Sequence, residues 1–137
     1  MIVVDSSSLV KYLFKEDGWL KVEEELLKDD VYAVDYVAKE LLNALWKSVV
    51  LHKLLSKEVV VEKWELFKKL VKEGVIVLKN QDEFLDEALS IALHYSITVY
   101  DSLCLACAEK MGASLLTSDR RQASVAKQMG IQVMLVE

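Results

Sequence analysis

No apolar run in this chain approaches the roughly 20 residues that a bilayer-spanning helix requires. Proline is missing from all 137 residues, and no Pro-, Gly- or Ser-rich linker, internal repeat or low-complexity segment interrupts the chain. Asparagine occurs only at Asn43 and Asn80 while Lys and Glu abound, a balance that leans towards a thermophilic source. The N-terminus enters the apolar stretch Met1–Val4 with no basic segment and no small-residue cleavage site, so no secretory leader is expected. A cytoplasmic location follows as an expectation.

Histidine is limited to His52 and His94, and cysteine to Cys104 and Cys107. A structural zinc needs four ligands, and a redox pair belongs at a helix start beside a strand. Here C-x-x-C lies inside Leu103–Ala108, an apolar helical stretch, with no second pair anywhere. Two small buried thiols on one helix face account for it. Arginine is confined to Arg120 and Arg121. The net charge of −5 excludes a protein whose whole surface grips nucleic acid. It leaves room for an enzyme that gathers acids around a metal and meets phosphate with a local basic rim.

What is present is a core. Hydrophobic residues make up 53% of the chain, enough for one globular domain over residues 1–137. Short β-branched runs alternate with amphipathic segments. Strands are expected at Met1–Val4, Val31–Val34, Val75–Leu78, Ala113–Asp119 and Gln132–Val136. Helices are expected from Ser6 to Phe14, Trp19 to Lys28, Tyr36 to His52, Ser56 to Gly74, Gln81 to Tyr95, about Asp101 to Met111 and Arg120 to Met129. That alternation predicts an α/β sandwich on a largely parallel sheet of five strands.

Acids fall at telling places. Asp5 ends the first strand and Asp119 the fourth, so both carboxylates reach the carboxyl edge of the sheet, where open α/β sheets build their sites. Asp101 opens a helix after Ile97–Tyr100. Glu40 falls at the margin of the apolar face formed by Val37, Leu41, Ala44, Leu45 and Ser48, one turn before the small Ala44. Each has an ordinary explanation: Asp5 and Asp101 as helix caps, Glu40 as a surface residue paired with Lys47 or Asn43. Four carboxylates at one edge, however, repel one another unless protonated or neutralised by cations. Oxygen ligands without organised Cys or His favour Mg²⁺ or Mn²⁺, and such ions activate water and hold phosphate for in-line attack. Arg120 and Arg121 follow Asp119 directly and, with Lys11 and Lys47, are candidates for binding a nucleic-acid backbone. The run Glu23–Glu25 reads as a solvated helix face, and Trp64 and Phe67 as packing rather than a base-stacking platform.

Four segments together resemble the PIN-domain family, and within it the small VapC-type toxins: Asp5-Ser6-Ser7-Ser8-Leu9-Val10-Lys11-Tyr12, Glu40-Leu41-Leu42-Asn43-Ala44-Leu45-Trp46-Lys47, Tyr100-Asp101-Ser102-Leu103-Cys104-Leu105-Ala106 and Leu115-Leu116-Thr117-Ser118-Asp119-Arg120. The resemblance implies a three-layer α/β/α fold with a parallel sheet in the order 3-2-1-4-5. It implies Mg²⁺- or Mn²⁺-dependent endoribonuclease activity, with Asp5, Glu40, Asp101 and Asp119 as catalytic metal ligands supported by Ser7, Asn43 and Thr117. It further implies the toxin of a type II toxin–antitoxin pair, a homodimer silenced by a cognate antitoxin. Cys104 departs from an often aromatic family position, and no proline precedes the Glu40 helix.

The rival from another class is a catalytically silent PIN-like binding or dimerisation module. Other phosphate-handling α/β enzymes fit worse. A phosphoaspartyl phosphatase wants Asp-x-Asp where this chain has Ser7, and a receiver domain wants an acidic pair near the first strand and a lysine after the last.

Overall fold

Ile2, Val3 and Val4 are buried on both faces and form the central strand β1 (Ile2–Val4). The computed structural model, which describes every residue from Met1 to Glu137, builds outward from it. The chain continues through α1 (Ser6–Leu13), α2 (Trp19–Lys28), β2 (Val31–Val34), α3 (Val37–Val50), α4 (Lys57–Lys72) and β3 (Ile76–Lys79). A 3-10 turn (Gln81–Phe84) leads into α5 (Leu85–Tyr95), then α6 (Val99–Met111), β4 (Ser114–Thr117), α7 (Arg120–Gln128) and β5 (Val133–Leu135). All five strands are parallel, as the alternation predicts, and lie in the order β3-β2-β1-β4-β5 that the family resemblance implies.

That order decides where the helices lie. From β1 the chain steps outward to β2 and β3, then crosses back to β4 and steps the other way to β5. Right-handed crossovers put α1–α4 on one face of the sheet and α5–α7 on the other. The direction of winding reverses between β1 and β4. Their register pairs Val4 with Leu116, so the next residues along each chain, Asp5 just past β1 and Thr117 at the end of β4, emerge side by side.

Most of the expected elements are present, with shifted ends. α6 begins at Val99 rather than at Asp101, because the Thr98 side chain accepts from the backbone N–H of Asp101 and caps the helix. Asp101 therefore sits within the first turn and its carboxylate is free of capping. Residues Ser102 through Ala108 of α6 are all buried, including both free cysteines. A helix covered all round wants small residues, which is what Cys104, Ala106, Cys107 and Ala108 supply. Burial pushes the Cys107 thiol up to about 11 and holds the Cys104 thiol well above its ordinary value, so both favour the protonated form.

One local expectation needs correcting. The Glu23–Glu25 run is not uniformly solvated: Glu25 is buried and lies within ion-pair distance of Lys21 and Lys28 on either side. Ser96, in the left-handed conformation at φ 56°, ends α5, and His94 in its last turn is exposed. Trp64 and Phe67 stack on each other at 5.5 Å with Phe67 buried, which makes them packing residues. No single helix is long and apolar enough to cross a membrane.

Candidate active site

Asp5 is the fixed point of the site. Its backbone N–H donates to the Leu116 carbonyl, extending the β1–β4 ladder by one residue. Its side chain is 6% exposed. It caps α1 by accepting from the Ser8 backbone N–H, so capping and site-building are compatible tasks. The Ser7 hydroxyl donates to one carboxylate oxygen at 2.6 Å, and the Thr117 hydroxyl donates to the other. Burial raises the Asp5 proton affinity; the donors from Ser7, Thr117 and Ser8 oppose that, and nearby Asp119 adds to it. The net shift is upward, so an ionised Asp5 is held here at a free-energy cost.

The three serines have separate tasks. Ser7 donates to Asp5 and accepts from the backbone N–H of Ser118 at 2.9 Å, tying α1 to the end of β4. The Ser8 and Ser118 hydroxyls lie 2.9 Å apart. Ser6 faces Glu40 and favours its charge. Thr117 accepts from the Asp119 backbone N–H at 3.1 Å, so a single hydroxyl orients two of the four acids.

Glu40 is half-buried. Burial raises its pKa, and Asp101 and Asp5 raise it further, which brings these three carboxylates into one electrostatic neighbourhood. The same three acids also push up the Cys104 thiol, one turn along α6 from Asp101. Asp119 caps α7, accepting from the N–H groups of Arg121 and Gln122 at 2.8 and 3.2 Å. Gln122 donates back to the Asp101 carbonyl at 2.8 Å, joining α7 to the start of α6.

All four acids therefore lie at helix N-termini: Asp5 and Asp119 as caps of α1 and α7, Glu40 and Asp101 in the first turns of α3 and α6. The positive ends of four helix dipoles converge on one edge of the sheet, which partly offsets the repulsion. Burial first, and the neighbouring carboxylates after it, still raise Asp5 and Glu40. No group of three His, Cys, Asp or Glu side chains is drawn close enough to grip one ion directly. The donor set, carboxylates and hydroxyls with the thiols protonated, nonetheless fits a hard divalent ion held in part through water.

Beside the acids opens a cleft of about 650 Å³, lined among others by Ser7, Lys11, Tyr36, Lys39, Glu40 and Lys47. Asn43 and Ser118 also line it. Lys11 and Lys47 therefore stand where a basic rim was expected. Lys39 and Tyr36 were missed, although their spacing from Glu40, Asn43 and Lys47 puts them on one helix face. Arg120 and Arg121 do not line the cleft. The exposed Arg120 guanidinium is bound in two-pronged fashion by Glu137 at 3.1 and 2.7 Å, and Arg121 donates to the Ser96 carbonyl at 3.1 Å.

A parallel sheet wound in both directions, with acids gathered where the winding reverses, defines an α/β protein of the type that binds its substrate at the strands' carboxyl ends. The PIN domain model matches residues 2–128, and the chain belongs to that family. It is 32% identical over 126 residues to Ribonuclease VapC3 of Pyrobaculum aerophilum, covering 89% of this chain and 92% of that protein. It is 29% identical to Exonuclease VapC9 of the same organism over 119 residues, 86% of this chain and 80% of that one. Among solved structures, VapBC2 from Rickettsia felis bound to a DNA fragment from its promoter superimposes with a TM-score of 0.69. That alignment covers 100% of both chains at 16% identity, a likeness of fold.

Proposed function

We propose that this PIN-domain protein is a Mg²⁺- or Mn²⁺-dependent endoribonuclease and the toxin of a type II toxin–antitoxin pair. The observation that carries the nuclease reading is Asp5. A carboxylate that is buried, hydrogen-bonded through both oxygens and still raised by its surroundings is poised for a cation. Asp5, Glu40, Asp101 and Asp119 would hold the ion. Bound there, a divalent cation would neutralise the acids, polarise the scissile phosphodiester and activate water for in-line attack.

The chain's own residues do the rest. Ser7 and Thr117 hold the Asp5 carboxylate in one orientation, and Thr117 and the first turn of α7 orient Asp119. Lys11, Lys39 and Lys47 line the cleft as point charges for the RNA backbone. Arg120 is assigned to that backbone only if a phosphate displaces Glu137, an exchange an exposed ion pair permits. Arg121 lies next to it on the same rim. Asn43, on the cleft wall one turn from Glu40, supports that acid or its ligand.

The antitoxin partner rests on the likeness to VapC proteins. Self-association has support in Leu85, Leu89 and Leu93, an exposed apolar stripe at four-residue spacing on α5.

Two measurements test this reading. Asp5→Asn should reduce metal-dependent RNA cleavage by at least about 100-fold while leaving the fold intact. Unchanged cleavage by that variant would overturn the assignment. Because one relative is an exonuclease, a circular RNA separates the two modes: an endonuclease linearises it and an exonuclease leaves it whole. Titration calorimetry with Mn²⁺ distinguishes the enzyme from a silent module, which would have no saturable site.

A further inference from the structure

We propose that Tyr36 and Tyr100 form a stacking platform for the base of a nucleotide flanking the scissile phosphate. The inference rests on the nuclease reading and assigns that site a means of selecting single-stranded RNA. The two rings stack with centroids 5.1 Å apart and planes 20° from parallel. Tyr36 is half-buried in the cleft wall on the turn before Glu40, and Tyr100 immediately precedes Asp101. The pair thus joins the first turns of the two helices that carry these acids.

An exposed ring held on a cleft-lining ring separates this pair from the other aromatics. Tyr100 is 59% exposed, although it lies just before the buried stretch Ser102–Ala108 and against the Tyr36 ring. A large aromatic surface is left in water beside a charged cleft. The Trp64–Phe67 stack is packed under α4, and the Tyr12–Trp19 pair lines a separate groove between α1, α2 and α4. Trp46, also exposed, neither lines the cleft nor stacks on a residue that does, whereas Tyr100, itself outside the lining, rests on the lining ring of Tyr36.

Proteins that hold single strands combine a basic track with aromatic faces on which bases stack. Both occur here on one helix face: Tyr36, Lys39, Asn43 and Lys47 are spaced at three or four residues along α3, and all line the cleft. A duplex keeps its bases stacked inside and offers none to Tyr100. A single strand whose phosphate approaches Glu40 and Asp101 can lay a neighbouring base on the ring.

The test is binding of a labelled single-stranded RNA of about ten nucleotides, read by fluorescence anisotropy, with Asp5→Asn in every protein so that no cleavage occurs. Tyr100→Ala should weaken binding about 5- to 100-fold, and Tyr100→Leu, which keeps apolar bulk over Tyr36, should weaken it likewise. Tyr100→Phe should bind within about twofold of the parent. An oligonucleotide lacking one base at the stacking position should cost the parent the same factor and cost Tyr100→Ala nothing further, which a purely structural role for the ring would not produce. Equal binding by Tyr100→Ala, or an equal loss on intact and abasic RNA, would overturn the platform while leaving the nuclease reading in place. Failure of the parent itself to bind RNA would overturn both.

Discussion

Thr117 shows how much one hydroxyl can decide. It is fully buried, donates to Asp5 and accepts from the Asp119 backbone. Thr117→Val keeps the shape and removes both bonds. Leaving buried polar groups without partners costs about 1–3 kcal/mol, so the variant should melt several degrees lower at neutral pH. Its deficit should shrink on acidification, because the lost donor favoured the ionised Asp5 and protonation removes that charge. A chemical-denaturation series across pH measures both. The sequence displayed Asp5, Asp101 and Asp119 as acids beside β-branched runs, and these were legible. The partners of the arginines were not. Glu137 and the Ser96 carbonyl, which hold Arg120 and Arg121, lie 17 and 25 residues away along the chain, and no local pattern encodes such a meeting.

At the level of elements, the site is a convergence of helix starts. Ser56 caps α4 by accepting from Val59, as its position led us to expect, while Thr98 displaced Asp101 as the cap of α6. The displacement leaves the Asp101 carboxylate free of capping and within electrostatic reach of Glu40, so the cap expected from the sequence is instead an acid of the proposed site. The α1–α2 connection carries a second constraint. Gly18 caps α2 at φ +96°, and a Cβ there would lie 3.1 Å from both the Glu137 carbonyl oxygen and the Val136 side chain. Gly18→Ala should therefore destabilise by about 1–3 kcal/mol, from left-handed strain together with displacement of the segment after β5. A urea titration with unchanged slope and a lowered midpoint would establish it. The amphipathic helices α2, α3 and α4 were readable because each has a solvent face. The buried middle of α6, Ser102–Ala108, was readable chiefly from the helix ends, since it has no polar stripe to mark a period.

For the whole molecule, the raised proton affinities of Asp5 and Glu40 connect stability to pH and to metal. Their folded pKa values lie above the unfolded ones, so their cost is absent below the unfolded value and grows as pH rises through the folded one. Between those limits the native state binds more protons, and this contribution to stability falls as pH rises. Mn²⁺ or Mg²⁺ should relieve the same cost at neutral pH. The melting temperature should thus rise with metal by several degrees at pH 7 and by less near pH 5, a pattern differential scanning calorimetry resolves. Asp5→Asn should melt higher than the parent without metal and respond less to it.

Periodicity, β-branched runs and strand-terminating acids determined the α/β class, the five strands and the acidic character of one sheet edge, because those signals are local and each residue carries them unaided. The family resemblance supplied the strand order, which spacing by itself does not contain. Only the tertiary structure decided that the β1–β4 switch point sets Asp5 against Thr117, that four helix N-termini meet there, and that Tyr36 lies under Tyr100. The Tyr36–Tyr100 and Asp5–Thr117 contacts join residues 64 and 112 positions apart. Crossover handedness and strand order create them, and no window of the sequence spans that distance.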